Sequence, residues 1–276
     1  MINVDGKVYS NFNSIDSNQI ESFILNTVFE FTLRWENNHI LFWEEHYFMM
    51  MAQLRRLRLV IPMNFTLDYF NKEILKIINE DDKSFIVDIK FANKSNTSLD
   101  NFQPSLTTLI TLSKVNSIFD NDISYINEIS LFKEFNIGDH SFASISYLQK
   151  NIKRVASVES YENNCNDNII LNNSKNVIGS VLGNIFILQG ERIICPSSSI
   201  GRESSVISDL FIRYLQKNSF EFSYESFGVF ELQVADELSV ISIKNGINPV
   251  VKYRKKIYET SRLPLIFKSF IKATQL

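Results

Sequence analysis

The residues that could do chemistry in this chain are few. Its two cysteines, Cys165 and Cys195, show neither a Cys-x-x-Cys motif nor a Cys/His spacing that would hold zinc, and they fit a reduced, cytoplasmic setting. No Ser-His-Asp arrangement or metal cluster can be read, and Gly183, Gly190 and Gly201 are isolated turn glycines rather than a phosphate-cradling loop. His46, on the first turn of an expected helix, reads as a capping or packing residue. The basic cluster Arg55, Arg56 and Arg58 reads as a solvated helix end. One interval stands out: no lysine occurs between Lys133 and Lys150.

The elements around these residues suggest two units. Val28 to Trp35 is rich in β-formers, and Ile40 to Trp43 follows across the polar Glu36-Asn37-Asn38 turn, which predicts a hairpin. A helix is expected from Glu44 to about Leu59, and another over Thr66 to Ile78 behind a Thr N-cap. Strands at Ser84 to Ala92 and Thr107 to Leu112 complete an α+β domain over residues 1–115. The polar stretch Lys114 to Asp122 interrupts the apolar periodicity. Beyond it a larger domain, residues 123–276, begins with a strand at Ile126 to Phe132 and a helix at Ile145 to Tyr161. Short strands are expected at Ile169 to Leu171, Val177 to Val181, Asn184 to Leu188, Arg192 to Cys195 and Glu237 to Ile243. Helices are expected at Glu203 to Lys217 and Ser261 to Ala273.

Composition sets the class. With 276 residues, 45% hydrophobic and 21% charged, the chain can bury a large core. A net charge of -3 gives no electrostatic reason to expect a nucleic acid. The N-terminus lacks the basic start and apolar core of a signal peptide, and no apolar run reaches membrane-spanning length, so no membrane partner is expected.

Six short elements, in order, resemble those of class IV pyridoxal-phosphate enzymes, the family of branched-chain and D-amino-acid aminotransferases and aminodeoxychorismate lyase. They are Val28-Phe29-Glu30, Glu44-Glu45-His46, Tyr147-Leu148, Asn184-Ile185-Phe186, Gly201, and Ala235-Asp236-Glu237 with Pro249 beyond it. The resemblance implies an α+β, two-domain, D-amino-acid-aminotransferase-like fold, a homodimer, and a cofactor cleft near a subunit interface.

It also implies where the cofactor's holders should be. The family's Schiff-base lysine falls at Ala143, or at Phe142 under a one-residue shift, within Ala143-Ser144-Ile145-Ser146-Tyr147-Leu148. An amine is needed there to attack the cofactor aldehyde and later move the substrate's proton, and neither residue has one. The glutamate that protonates the ring nitrogen falls at Gly179, and no carboxylate lies between Asp167 and Glu191. The phosphate arginine falls at Met49. The family's phosphate cup falls at Ser205-Val206-Ile207 and Ile241-Ser242-Ile243, where aliphatic groups replace hydroxyls at Ile207 and Ile243. Arg34 and Tyr147 remain as cleft candidates, although a one-residue offset in the strand makes Arg34 a surface arginine, and Tyr147 at the start of an amphipathic helix reads as packed core.

With anchor, nitrogen partner and phosphate clamp all replaced, the resemblance implies a catalytically degenerate homologue with a scaffold or small-ligand-binding role and no cofactor. Two other readings stand beside it. One is a pyridoxal-phosphate enzyme with a relocated lysine, for which Lys150 is the nearest downstream candidate, about 10 Å further along the helix. The other is a non-catalytic heterodimer partner of an active homologue.

Overall fold

The computed structural model describes residues 1–78, 83–93, 106–120 and 122–274, so Asn121 of the expected boundary stretch lies outside the described residues. The chain divides into two compact units, Met1–Ser117 and Ile118–Leu276.

The first unit is built on long antiparallel strands. Its elements are β1 (Ile2–Val4), β2 (Lys7–Tyr9), α1 (Ser17–Leu25), β3 (Thr27–Glu36), β4 (His39–Ile40), α2 (Trp43–Arg56), α3 (Leu67–Leu75), β5 (Ser84–Asn93) and β6 (Leu106–Lys114). The six strands form one sheet in the order β2-β1-β6-β5-β3-β4. Alternation along β3 puts Phe29, Phe31 and Leu33 on one face, opposite Phe91, Ile89 and Val87 of β5, and all six are buried. The Phe91 ring lies 6.0 Å from Phe65 and 6.1 Å from Phe70, seating α3 on the sheet. Thr66 caps α3 by accepting from the Tyr69 amide at 3.1 Å.

The hairpin forms, but its second strand is shorter than Ile40 to Trp43. Asn37 and Asn38 both adopt positive φ, which suits a two-residue turn and leaves only His39–Ile40 as strand. Phe42 then turns left-handed, and α2 starts at Trp43. Arg34 is not a surface residue. It is 2% exposed, paired with the fully buried Glu36, and donates to the Asn116 carbonyl. The hydroxyls of Ser84 and Ser117 donate to Glu36 Oε2 at 2.6 and 2.9 Å. Alternation fails to send Arg34 to solvent because β3 is covered on both faces from Leu33 onward. Arg55 and Arg56 do occupy the last turn of α2, where cations suit the helix dipole.

The second unit holds two five-stranded sheets, β12-β11-β10-β13-β14 and β16-β15-β7-β8-β9. Their strands are β7 (Ile129–Leu131), β8 (Asp167–Leu171), β9 (Val177–Ser180), β10 (Asn184–Gln189), β11 (Arg192–Cys195), β12 (Phe222–Tyr224), β13 (Glu237–Ser242), β14 (Gly246–Pro249), β15 (Lys252–Tyr253) and β16 (Lys256–Ile257). The helices are α4 (Ser146–Glu162), α5 (Val206–Lys217), α6 (Val229–Val234) and α7 (Arg262–Ala273). A core of Ile169, Ile185, Ile187, Leu238, Val240, Tyr253 and their neighbours is contributed by both sheets. The Ala235-Asp236-Glu237 element has a structural task. The buried Glu237 carboxylate accepts from the amides of Ser261, Arg262 and Leu263 at 3.0, 2.7 and 2.8 Å, and so holds the N-terminus of α7 on β13. Asp236 accepts from the Gly190 amide at 2.7 Å, pinning the turn between β10 and β11.

Among the described residues no helix is long and apolar enough to cross a membrane, and no group of three or more His, Cys, Asp and Glu is placed to hold a metal ion.

His46 is buried on α2, its Nδ1 within 2.9 Å of the Phe42 carbonyl and 3.0 Å of that of Leu41, with its ring edge-on to Phe31. Burial lowers its pKa to about 4. Because the folded value lies below the ordinary 6.5, its contribution to stability is present above pH 6.5 and is lost as pH falls toward 4. The stability advantage of the parent over His46→Leu, measured by urea denaturation, should therefore shrink by up to about 3 kcal/mol between pH 7 and pH 4. A difference independent of pH would show that the imidazole is not held neutral.

Candidate functional site

The second unit gathers several of the positions singled out in the sequence around the loop that follows β11. Ala143 sits in a short 3₁₀ turn, Ser141–Ser144, that leads into α4. His140 caps that turn by accepting from the Ala143 amide at 3.1 Å. The Ala143 methyl is 4% exposed and belongs to an apolar cluster with Phe132, Ile137, Ala156, Ile170 and Ile178. Gly201 lies against it with φ +105; a Cβ there would stand 3.8 Å from Ala143 Cβ and 3.2 Å from the Gly138 carbonyl oxygen. Only glycine lets this loop pass so close.

Hydrogen bonds fix the contact. The buried Gln149 amide donates to the carbonyls of Ala143 and Gly201 at 2.6 and 2.8 Å, and the Ser204 amide donates to the Ser144 carbonyl at 2.8 Å. Ser205 is extended, and α5 begins at Val206 rather than at Glu203. Gln149 was not singled out from sequence; a polar residue on the inward face of an amphipathic helix was the available signal. Phe142, the alternative anchor position, is 40% exposed.

The other positions agree with the side chains they carry. Gly179 is buried on β9, and a Cβ there would meet the Gly183 carbonyl oxygen at 3.0 Å, so any side chain would force the backbone to shift. Val206 and Ile207 are buried at the start of α5, and Ile243 is half-buried just past β13. Met49 is half-buried on α2 and belongs to the first unit, as does Arg34 with its buried partner Glu36. Tyr147 is half-buried, and the exposed Lys150 carries its ammonium 6.0 Å from the centre of the Tyr147 ring. Positions 143 and 179 do not fit a pyridoxal phosphate held by a Schiff base and a ring-nitrogen carboxylate.

A polar cluster on the same unit was missed in the sequence. Lys153 of α4 pairs with Glu203, and the Asn184 amide donates to the Glu203 carbonyl and the Ser208 hydroxyl, both at 3.1 Å. Asp167, 1% exposed at the start of β8, accepts from the Asn168 amide at 2.8 Å. Burial pushes its pKa up to about 6, against the opposing pull of hydrogen bonds from Ser180 and the backbone and of the Lys153 charge. Burial likewise pushes the Cys195 thiol up to about 12, which leaves it a neutral packing group rather than a nucleophile.

The Asp167 shift has a consequence for stability. A folded pKa above the ordinary value means the group favours folding most below pH 3.8, and this contribution is lost as pH rises through about 6. Asp167→Asn should accordingly gain on the parent by up to about 3 kcal/mol between pH 4 and pH 7.5, read by urea denaturation. A gap that stays constant across that range would show that Asp167 ionises normally in the folded chain.

Comparison with known proteins places this geometry. A family model described as amino-transferase class IV matches residues 27–253. No curated protein matches the chain significantly. Among solved structures, the branched-chain aminotransferase of Thermoproteus uzoniensis with norvaline is similar at TM-score 0.85 and 14% identity, over 99% of this chain and 94% of that one. A candidate 4-amino-4-deoxychorismate lyase from Legionella pneumophila gives 0.81 and 14%, over 99% and 98%. The branched-chain amino acid aminotransferase of Thermobaculum terrenum gives 0.80 and 14%, over 99% and 92%, and was solved in its pyridoxal-phosphate form. These findings overturn the expectation that this chain has no cofactor, because its family and a structural neighbour solved in its pyridoxal-phosphate form depend on pyridoxal phosphate. The shared α+β fold spans nearly the whole chain and the family model most of it, so this chain belongs to the amino-transferase class IV family.

Proposed function

We propose that this chain is a catalytically degenerate member of its family, one that keeps the fold as a homodimeric scaffold or small-ligand-binding protein and has lost amino-transfer and lyase turnover. The observation that carries the reading is the Ala143 methyl, buried in an apolar cluster and in contact distance of the Gly201 loop. Covalent pyridoxal-phosphate chemistry requires a primary amine at the reacting carbon, and an amine at another place must still reach it. Lys153 is committed to Glu203, and Lys150 is exposed beside Tyr147 on the first turns of α4, beyond the 3₁₀ turn that holds position 143. Pyridoxal phosphate comes to this chain as the group its family uses, and any that is bound is held without a covalent link at position 143. The dimer reading is supported by exposed apolar side chains on α4, namely Leu148, Val155, Val158 and Tyr161.

Amino transfer from norvaline or a branched-chain amino acid to a 2-oxo acid, with pyridoxal phosphate supplied, should stay at background. Ala143→Lys alone should not restore it, because Gly179 and Ile243 still stand at the nitrogen and phosphate positions. Turnover by either protein would overturn the reading. A borohydride-trapped pyridoxyl adduct on Lys150 or Lys153 would move the chemistry to a relocated lysine. Light scattering should return twice the chain mass, and a monomer at working concentration would remove the dimer from the proposal.

A further inference from the structure

A cavity of about 400 Å³ opens between the outward side of α5, β12 and the loop after β11. Arg202, Arg213, Asp209, Ser198, Ser204 and Tyr224 line it, whereas Ser205, Val206 and Ile207, at the family's phosphate position, do not. Arg202 is only 2% exposed. Its Nη2 donates to Asp209 Oδ1 at 3.0 Å, and among the described residues its Nε and Nη1 have no hydrogen-bond partner.

A buried guanidinium costs several kcal/mol of lost hydration, which a single carboxylate, itself one-third exposed, offsets only in part. Buried donors without acceptors add to that cost. Arg213, one turn beyond Asp209, adds a second cation, so two guanidinium groups face one carboxylate and the cavity carries a surplus of one positive charge. The hydroxyls of Ser198, Ser204 and Tyr224 add donors. The surplus positive charge, the unpartnered Arg202 nitrogens and the hydroxyls outweigh the single Asp209 carboxylate and favour an oxyanion, and the volume admits a small metabolite rather than a macromolecule.

We propose that this cavity binds the phosphate or carboxylate group of a small metabolite, with Arg202 as the buried anchor and Arg213 and Tyr224 at its mouth. The site does not depend on whether the family's chemistry is retained.

Calorimetric titration of the full chain with inorganic phosphate, and separately with succinate, at fixed ionic strength tests it. Saturable binding of at least one is expected, and whichever binds identifies the group recognised. Arg213→Gln, on an exposed position where folding is safe, should weaken binding about tenfold, as should Arg202→Lys, which keeps the charge and loses the planar fork. No saturable binding of either anion would overturn the proposal and leave water as what satisfies Arg202. Binding that Arg213→Gln leaves unchanged would also overturn it, because it would place the anion elsewhere, the family's phosphate position included.

Discussion

The Gln149 side chain, buried beneath two strands of backbone, has to find acceptors or leave its amide unpaired at a cost of about 1–3 kcal/mol. It finds them in the carbonyls of Ala143 and Gly201, and much of the second unit follows from that choice. The 3₁₀ turn before α4 and the loop after β11 are drawn together until only a methyl and a glycine fit between them. Asn172, donating to the Ile200 carbonyl at 3.0 Å, closes the same loop from β8. The space between the turn and the loop is close-packed core.

Several polar groups around that core are paired inside the chain. Lys153 and Glu203 neutralise each other at the edge of the cluster, and Asn184 fixes the Glu203 backbone so that the pair is held in register. Asp167 is the exception, a carboxylate whose burial works against its own ionisation. Its position beside the turn between β9 and β10 couples the stability of that turn to pH. The Arg202 guanidinium is a second buried charge, held at the surface side of α5 and apart from this cluster.

What was legible in the sequence follows from the length and period of each element. The long strands β3, β5 and β6, the helices α3, α4 and α7, and the short strands β8 to β11 carry enough alternating or helical pattern to be placed within a few residues. The elements β1, β2, α1, β12, α6, β14, β15 and β16 were not read, most of them because two to six residues hold too little periodicity. Arg34 was misplaced because alternation assumes one wet face, and β3 has none at its end. The Gln149 clamp and the Arg202 cavity could not be read, because both depend on contacts between segments some fifty residues or fewer apart that no local pattern encodes.

The motifs shared with the family satisfy polar groups of the chain itself. Glu237 binds three amides at the start of α7, Asp236 binds the Gly190 amide, Asn184 bridges Glu203 and Ser208, and His46 takes its place against Phe42 and Leu41. Glu237, Asn184 and His46 each pair with buried polar groups of the chain itself, so replacing any of them costs folding free energy whatever the protein does. Folding stability alone is therefore enough to preserve these residues, because each loss would leave buried donors or acceptors of the chain without a partner.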